Sequence, residues 1–563
     1  MLIAGLIRRF VVVLLALGCL APVSLWANPA DMVLLNGRIV TLDDTSDIKQ
    51  ALAISGDRIV ATGSSDEMRG LADAGTTIID LGGRTVIPGL IDSHIHFVRA
   101  GFRYATEVDW TGAAGITEAL ARLRTAAARA SPGAWLIVAG GWTPRQFSES
   151  RRPTEAEIDN AAAGHPVYIQ LFYGSVLTNA AGREKLGVTS EAGLPRLAKF
   201  ERNDDGTPDG WITGPGAAII SLYDRLPKPE LKQAIDGTRR FMRELSRFGL
   251  TGVIDPGGHN LAPEDYAALF QLRRERALRL RVNYSIFAPR PHQELADFQA
   301  FTKFLPMGTG DDLLRFNGIG ECVTWGMYNN DDPTDADKEE FYQVALWAAR
   351  QGMTLTVHWN NERSVHHLLD VFERVNREVS LAPLRWSIAH LHDASDVSLQ
   401  RMKALGVGWL MQDGLYFAAP NYIAERGAAQ MNRTPPIVPA LRLGLAVGGG
   451  TDANRVMVSN PFVSLRWMLD GRTVDGIATR GPPEIPSREQ ALRLYTEGSA
   501  WFAHDESRRG RLVAGMLADL AVLSDDYFSV EIPRIAQIES LLTLVGGEAV
   551  YAAGPYANHE LKR

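Results

Sequence analysis

Cysteine is nearly absent: Cys19 and Cys322 are the only two in 563 residues. Such a chain has no disulfide framework, so its stability must come from a buried core. Positive charge is outweighed by negative, with a formal net charge of −7, which removes the electrostatic reason to expect nucleic acid or anionic membrane as a partner. Low-complexity tracts, blocks of like charge and short-period repeats are missing, so nothing points to a solenoid or a disordered tail. Long apolar runs are missing too, apart from Phe10 to Leu20. That run falls short of the ~20 apolar residues a membrane span needs.

What surrounds the run is informative. Arg8 and Arg9 precede it, and Ala27 closes the segment before Asn28-Pro29. A basic start, an apolar middle and a small residue at the end describe a secretory signal peptide over residues 1–27. The expectation is a periplasmic or secreted protein with no membrane association after cleavage. A retained anchor stays open because Leu25 stands where a small residue would favour cleavage, while Ala16-Leu17-Gly18 before Cys19 fits a lipidation site poorly. Cleavage would leave Cys322 alone.

The remaining chain is ordinary globular material, with 46% apolar and 22% charged residues, but too long for one ordinary domain. Its ends read as short strands: Met32 to Val40 around Asn36-Gly37, Ala51 to Val60 around Gly56-Asp57, then Thr77 to Leu81, and at the other end Ala518 to Leu523, Ile538 to Val545 and Ala549 to Ala553. Neither end offers enough strand to bury a core alone, so residues 31–86 and 505–554 are expected to meet in one small β-sandwich domain. Between them, apolar runs alternate with helical patterns, the signal of βα units around a buried parallel sheet. The fold class is therefore α/β, a TIM-type (β/α)8 barrel over residues 87–504. Its eight candidate strands are Val86 to Ile91, Leu250 to Asp255, Arg281 to Phe287, Leu314 to Glu321, Thr354 to His358, Leu384 to His390, Val407 to Gln412 and Leu445 to Asp452. Two further runs, Trp135 to Ala139 and Val167 to Leu171, are assigned to an insertion of about residues 111–240.

The strongest chemical feature is Pro88-Gly89-Leu90-Ile91-Asp92-Ser93-His94-Ile95-His96. Histidines at i and i+2 on a strand end project to one face, because strand side chains alternate. Two neutral imidazoles so placed can share a divalent cation at ~2.0–2.1 Å each. A His-x-His pair alone is weak evidence. His358, His390 and Asp452, however, also fall at the C-terminal ends of predicted barrel strands, where such barrels place their chemistry.

These residues resemble the amidohydrolase superfamily. Arg152-Pro153-Thr154…Asp159, Gly164-His165-Pro166-Val167 and Asp209-Gly210…Thr213-Gly214 look like its amidohydrolase family 3 branch. The resemblance implies one metal on His94, His96 and Asp452, and a second on His358 and His390. In many relatives a carboxylated lysine on the fourth strand bridges the two. Asn317-Gly318-Ile319-Gly320-Glu321 contains no lysine, leaving Glu321 as the bridging carboxylate, or as an orienting partner in a one-metal site. Cys322 faces the other side of that strand. A second departure is Gly174, where the branch often carries a histidine.

The cofactor implied is a divalent metal, one or two ions per chain, zinc first, with Mn, Fe and Co compatible with the same ligands. The reaction implied is hydrolysis of a non-peptide C–N bond (amide, cyclic amide, N-formyl or amidine) in a small molecule, with Asp452 as the catalytic proton shuttle. Ester hydrolysis or a lyase step at the same site, and a non-catalytic binding or regulatory protein on the same barrel, stay as alternatives. Substrate contacts are expected from His259, Trp142, Trp325, Trp359 and Tyr416. His392 reads as peripheral, and His366 with His367 as residues on a helix face. Assembly into a homo-oligomer is left open.

Overall fold

A computed structural model describes residues 29–259, 261–427 and 431–561. The expected signal peptide lies outside the described residues. Among them, no helix is long and apolar enough to cross a membrane.

Eight parallel strands frame the site. β1 (Leu90–Asp92), β2 (Leu250–Asp255), β3 (Arg281–Ile286) and β4 (Leu314–Ile319) form one four-stranded sheet. β5 (Thr356–Trp359), β6 (Ser387–His390), β7 (Gly408–Gln412) and β8 (Val447–Gly450) form a second. The hydrogen-bonded ladder is not continuous around all eight strands. The two sheets touch through a parallel bridge between Ile319 and Leu355 and a 3.0 Å bond from Ser93 N to Gly449 O. β2 and β7 are buried along their whole length, as parallel strands covered on both faces must be.

A helix follows each strand, as the alternating apolar pattern predicts. Asp335–Arg350, after β4, illustrates the local logic. Thr334 caps it, accepting from Asp337 N at 3.2 Å while the Asp337 carboxylate accepts from Thr334 N at 2.8 Å, so two otherwise orphaned donors are satisfied. Phe341, Ala345, Leu346, Ala348 and Ala349 then fall on the buried face. Burying each large side chain of this kind stabilises the fold by ~1.5–3 kcal/mol before conformational entropy is counted.

One expected strand divides in two. Val86 to Ile91 does not run as a single barrel strand; the chain breaks at Gly89. Thr85–Pro88 pairs antiparallel with Leu520–Leu523 and parallel with Arg38–Val40, inside a six-stranded sheet built from both ends of the chain. Only β1 joins β2. A Cβ at Gly89 would lie 2.2 Å from the Thr251 side chain, so a residue with a side chain would not fit at the crossing. The six-stranded sheet shares an apolar layer with a four-stranded sheet of N-terminal strands, through Leu34, Leu52 and Ile54 against Leu520, Leu542 and Leu544.

The two extra strand-like runs, observed as Leu136–Val138 and Val167–Leu171, belong to a separate five-stranded sheet. Ser175–Leu177, Lys199–Arg202 and Pro208–Thr213 complete it. Trp110, Trp142, Phe147 and Trp211 fill one side of it. The turn between Val167–Leu171 and Ser175–Leu177 brings Phe172 to 6.5 Å from Phe417, ring centre to ring centre. Phe417 lies on the helix Leu415–Arg426 that follows β7.

Candidate metal centre

The ends of β1 and β8 are sewn together around Asp92. Its Oδ1 accepts from His94 N (3.0 Å) and Thr451 N (3.2 Å), and its Oδ2 accepts from Thr451 Oγ1 at 2.6 Å. Asp452 N donates to His94 O at 2.8 Å, and His96 N to Ala453 O at 3.1 Å. The backbone therefore sets His94, His96 and Asp452 in one buried space. His390 and Asp452 have positive φ, 71° and 53°, an uncommon conformation for side-chain-bearing residues that tends to cluster at functional sites.

Glu321, just beyond β4, stands at the centre of four imidazoles. Its Oε1 lies 3.4 Å from His96 Nε2. Its Oε2 lies 3.4 Å from His94 Nε2, 3.1 Å from His358 Nδ1 and 3.6 Å from His390 Nε2. Asp452 Oδ1 is 3.2 Å from His96 Nε2 and 3.8 Å from His94 Nε2. Two ligands each ~2.1 Å from a tetrahedral cation are about 3.4 Å apart, so most of these separations suit atoms gathered around an ion. Both ring nitrogens of His94, and Nε2 of His390, are buried without a hydrogen-bond partner. That arrangement is costly for free polar atoms and natural for ligands. The donor set therefore fits a divalent metal.

The electrostatics agree with that fit. Burial opposes charge on Glu321, yet His358 and its neighbours hold its carboxyl well below the ordinary range. Burial likewise opposes charge on Asp452, and the hydrogen bond to His96 with the surrounding imidazoles holds its carboxyl low. Burial and the charge of His358 push His390 down to about 3, so its imidazole is neutral at physiological pH, the form a metal would require. His96 Nδ1 lies 2.6 Å from Gly257 O. As a donor there, it leaves the Nε2 lone pair facing the carboxylates.

The other expected residues divide. His259 is buried, pushed by burial to about 3, and its Nε2 is 2.8 Å from the Tyr328 hydroxyl. That hydroxyl is 3.4 Å from His358 Nδ1, so His259 meets the centre through Tyr328. Trp325 packs in the same aromatic group, tilted, with its ring centre 5.4 Å from that of His259. Trp142 sits instead in the core of the five-stranded sheet, its Nε1 donating to Gln170 O at 2.8 Å. Trp359 is fully buried and bonds Ser364 Oγ at 3.2 Å; one residue after His358, it points the opposite way. Both are packing residues. Tyr416 packs on Phe417, and Phe417 is the one that lines a cavity. His392 lies 6.0 Å from His390, ring to ring. Cys322 is buried, and its thiol is pushed up by burial.

Sequence reasoning passed over Tyr328, Asn360, Gln412 and the structural role of Asp92. Asn360 Nδ2 lies 3.2 Å from His358 Nε2, and Gln412 Oε1 accepts from His390 N at 2.8 Å. Asp92 stood inside the His-x-His motif, where two residues before the first histidine it could have been singled out. Tyr328 lies in a loop with no periodic signal.

Comparison with known proteins places this architecture. An N-substituted formamide deformylase from Arthrobacter pascens is 24% identical over 549 residues, covering 92% of this chain and 98% of that protein. The Arabidopsis thaliana protein LONG AFTER FAR-RED 3 is 24% identical over 553 residues, 93% of this chain and 92% of that one. A solved structure of an uncharacterized metal-dependent hydrolase from Pyrococcus horikoshii matches with a TM-score of 0.65 at 21% identity, covering 89% of this chain and 99% of that one. The model of the amidohydrolase family matches residues 77–551, and with a match of that extent the chain belongs to the amidohydrolase family.

Proposed function

We propose that this chain hydrolyses an N-substituted amide or formamide of a small molecule, with divalent metal held by His94, His96, His358, His390, Glu321 and Asp452. Family membership makes it a metal-dependent hydrolase of C–N bonds other than peptide bonds. The observation that carries the fuller reading is Glu321, whose two carboxylate oxygens face different histidines. It supports two ions sharing one carboxylate, and imidazole with carboxylate ligands favours zinc. The likeness to a formamide deformylase supports the choice of substrate.

When bound, the metal supplies Lewis acidity at the substrate carbonyl and makes water nucleophilic near neutral pH. Asp452, kept ionised by the imidazoles beside it, takes the proton of the attacking water and returns it to the leaving nitrogen. Water oxygen joins the carbonyl carbon, the C–N bond breaks, and acid and amine result. Burial raises the Tyr328 phenol well above the ordinary value, so the hydroxyl between His259 and His358 stays protonated, and this reading gives it the role of hydrogen-bond donor to the substrate oxygen.

The same reading takes the two parallel sheets as halves of one TIM-type barrel. Residues 31–86 and 505–554 form one β-sandwich, and about 111–240 an insertion. Residues 1–27 are taken as a cleaved signal, giving an exported enzyme. The test is zinc-loaded protein assayed against matched N-formyl, amide and ester compounds. Turnover of the C–N compounds is expected; turnover of esters alone would overturn the proposal.

A further inference from the structure

Arg99 is a buried cation without a hydrogen bond. It lies on the helix Phe97–Arg103, three residues after His96. Its side chain is 5% exposed, and among the described residues Nε, Nη1 and Nη2 are all buried with no hydrogen-bond partner. Asp255, the buried carboxylate that ends β2, is spent elsewhere: Oδ2 accepts from Val98 N at 2.7 Å and Oδ1 from Gly257 N at 2.8 Å. A guanidinium left unpaired in a protein interior is strongly destabilising.

Gly258 locates the charge. A Cβ there would stand 2.8 Å from His96 Nδ1 and 3.3 Å from Arg99 Nη1. Arg99 therefore reaches the Nδ1 edge of the ring, which faces Gly257 O, while Nε2 faces Glu321 and Asp452. Arg99 also lines a cavity of about 20 Å³ beside the end of the helix Gly216–Asp224. Arg103 and Lys228 line it too, against one acid, Asp224. Lys228 Nζ is answered by Asp265 at 2.8 Å. With Asp224 set against Arg103, Arg99 is the cation left over. The volume holds one particle about the size of a water molecule, which excludes phosphate and organic acids. Water would satisfy N–H groups there without meeting the charge; a monoatomic anion does both.

We propose that Arg99 and this cavity form a site for a single halide ion, chloride being the common one. The ion accepts hydrogen bonds from the guanidinium behind His96 and touches none of the candidate metal ligands. The site does not depend on which bond the enzyme cleaves.

The experiment uses full-length, zinc-loaded protein in sodium gluconate, with chloride or bromide substituted at constant ionic strength. Thermal unfolding should shift upward with either halide, by ~1 °C per tenfold increase past half-saturation. Arg99→Met keeps an unbranched apolar stem and removes the charge. It should unfold no lower than wild type in gluconate, because it deletes an unpaired buried charge, and should gain nothing from halide. Arg99→Lys, which retains a charge, should keep a weaker halide response. Anomalous diffraction from bromide-soaked crystals should place bromide beside the Arg99 guanidinium. A halide response that survives in Arg99→Met, as binding at the metal would give, overturns the proposal. Lower stability of Arg99→Met in every salt, the mark of a packing role, does the same. Bromide beside Arg99 with no stabilisation in solution would be binding at crystal concentration only, and would overturn it too.

Discussion

Replacing Glu321 by glutamine asks whether one carboxylate serves two ions. The substitution keeps the shape and one carbonyl oxygen while removing the charge that faces four imidazoles. Its consequences should be unequal. His94, His96 and Asp452 remain as three ligands on one side, with separations of 3.2 and 3.8 Å between Asp452 Oδ1 and the two Nε2 atoms. On the other side only His358 and His390 remain, and the His358 side chain is 16% exposed while that of His94 is fully buried. Loss of an orienting partner outside the ligand shell already weakens metal binding ~10–100-fold. Loss of a shared ligand should cost the two-histidine side at least that, about 1.4–2.7 kcal/mol. The assay is elemental analysis after dialysis against a weak chelator. Wild type should retain close to two ions per chain and Glu321→Gln about one, while His392→Ala matches wild type. Full retention in Glu321→Gln would refute the bridging argument, and loss of both ions would show that the sites do not hold separately.

Other outcomes follow from the same geometry. Asp452→Asn should fold, keep much of its metal and lose turnover by ~10²-fold or more, with substrate affinity little changed; near-normal kcat would place the proton shuttle elsewhere. Tyr328→Phe removes the hydroxyl between His259 and His358 and should lower kcat ~10²-fold while leaving metal content intact by elemental analysis. Asp519 accepts from buried Arg281 at 2.7 and 2.9 Å. Asp519→Ala should destabilise the protein by about 3–5 kcal/mol in denaturant unfolding, because it strands buried guanidinium charge. Although burial opposes it, Arg281 holds the Asp519 carboxyl below its ordinary value. Its stabilisation is therefore fully present above ~pH 4, the unfolded carboxylate range, and lost as pH falls through the lower folded value. Acid unfolding of the Asp519→Ala variant should show a correspondingly weaker pH dependence. Mature protein from the native host should begin near Asn28 by N-terminal sequencing; an intact, membrane-anchored N-terminus would refute export.

The cluster of candidate ligands was partly legible because strand geometry is simple. The apolar runs ending at His358 and His390 locate those side chains at strand ends, whereas His94 and His96 lie beyond the end of β1 and are set by backbone bonds to the segment after β8 rather than by the alternation expected of a strand. Alternation, applied consistently, sends Trp359 away from the face that carries His358, which is why it packs in the core. Gly89 was hidden for the opposite reason. Apolar residues continue on both sides of it, and only the approach of Thr251 from another strand reveals the break. Loops carry no period, so neither Tyr328 after β4 nor the contact of Phe172 with Phe417 could be found before the five-stranded sheet was placed in space.

The pairing of Val86 with Val522 has a consequence for the order in which the chain acquires structure. Strand Thr85–Pro88 leads directly into β1, so β1 hangs from a sheet whose other partner is among the last parts to be synthesised. Such distant pairing makes folding slow, because loop closure has to precede the contacts that repay it. A chain still emerging from the ribosome cannot complete that sheet, and one truncated before Leu520 never can. The unfinished protein should thus remain loosely organised until its C-terminal strands arrive.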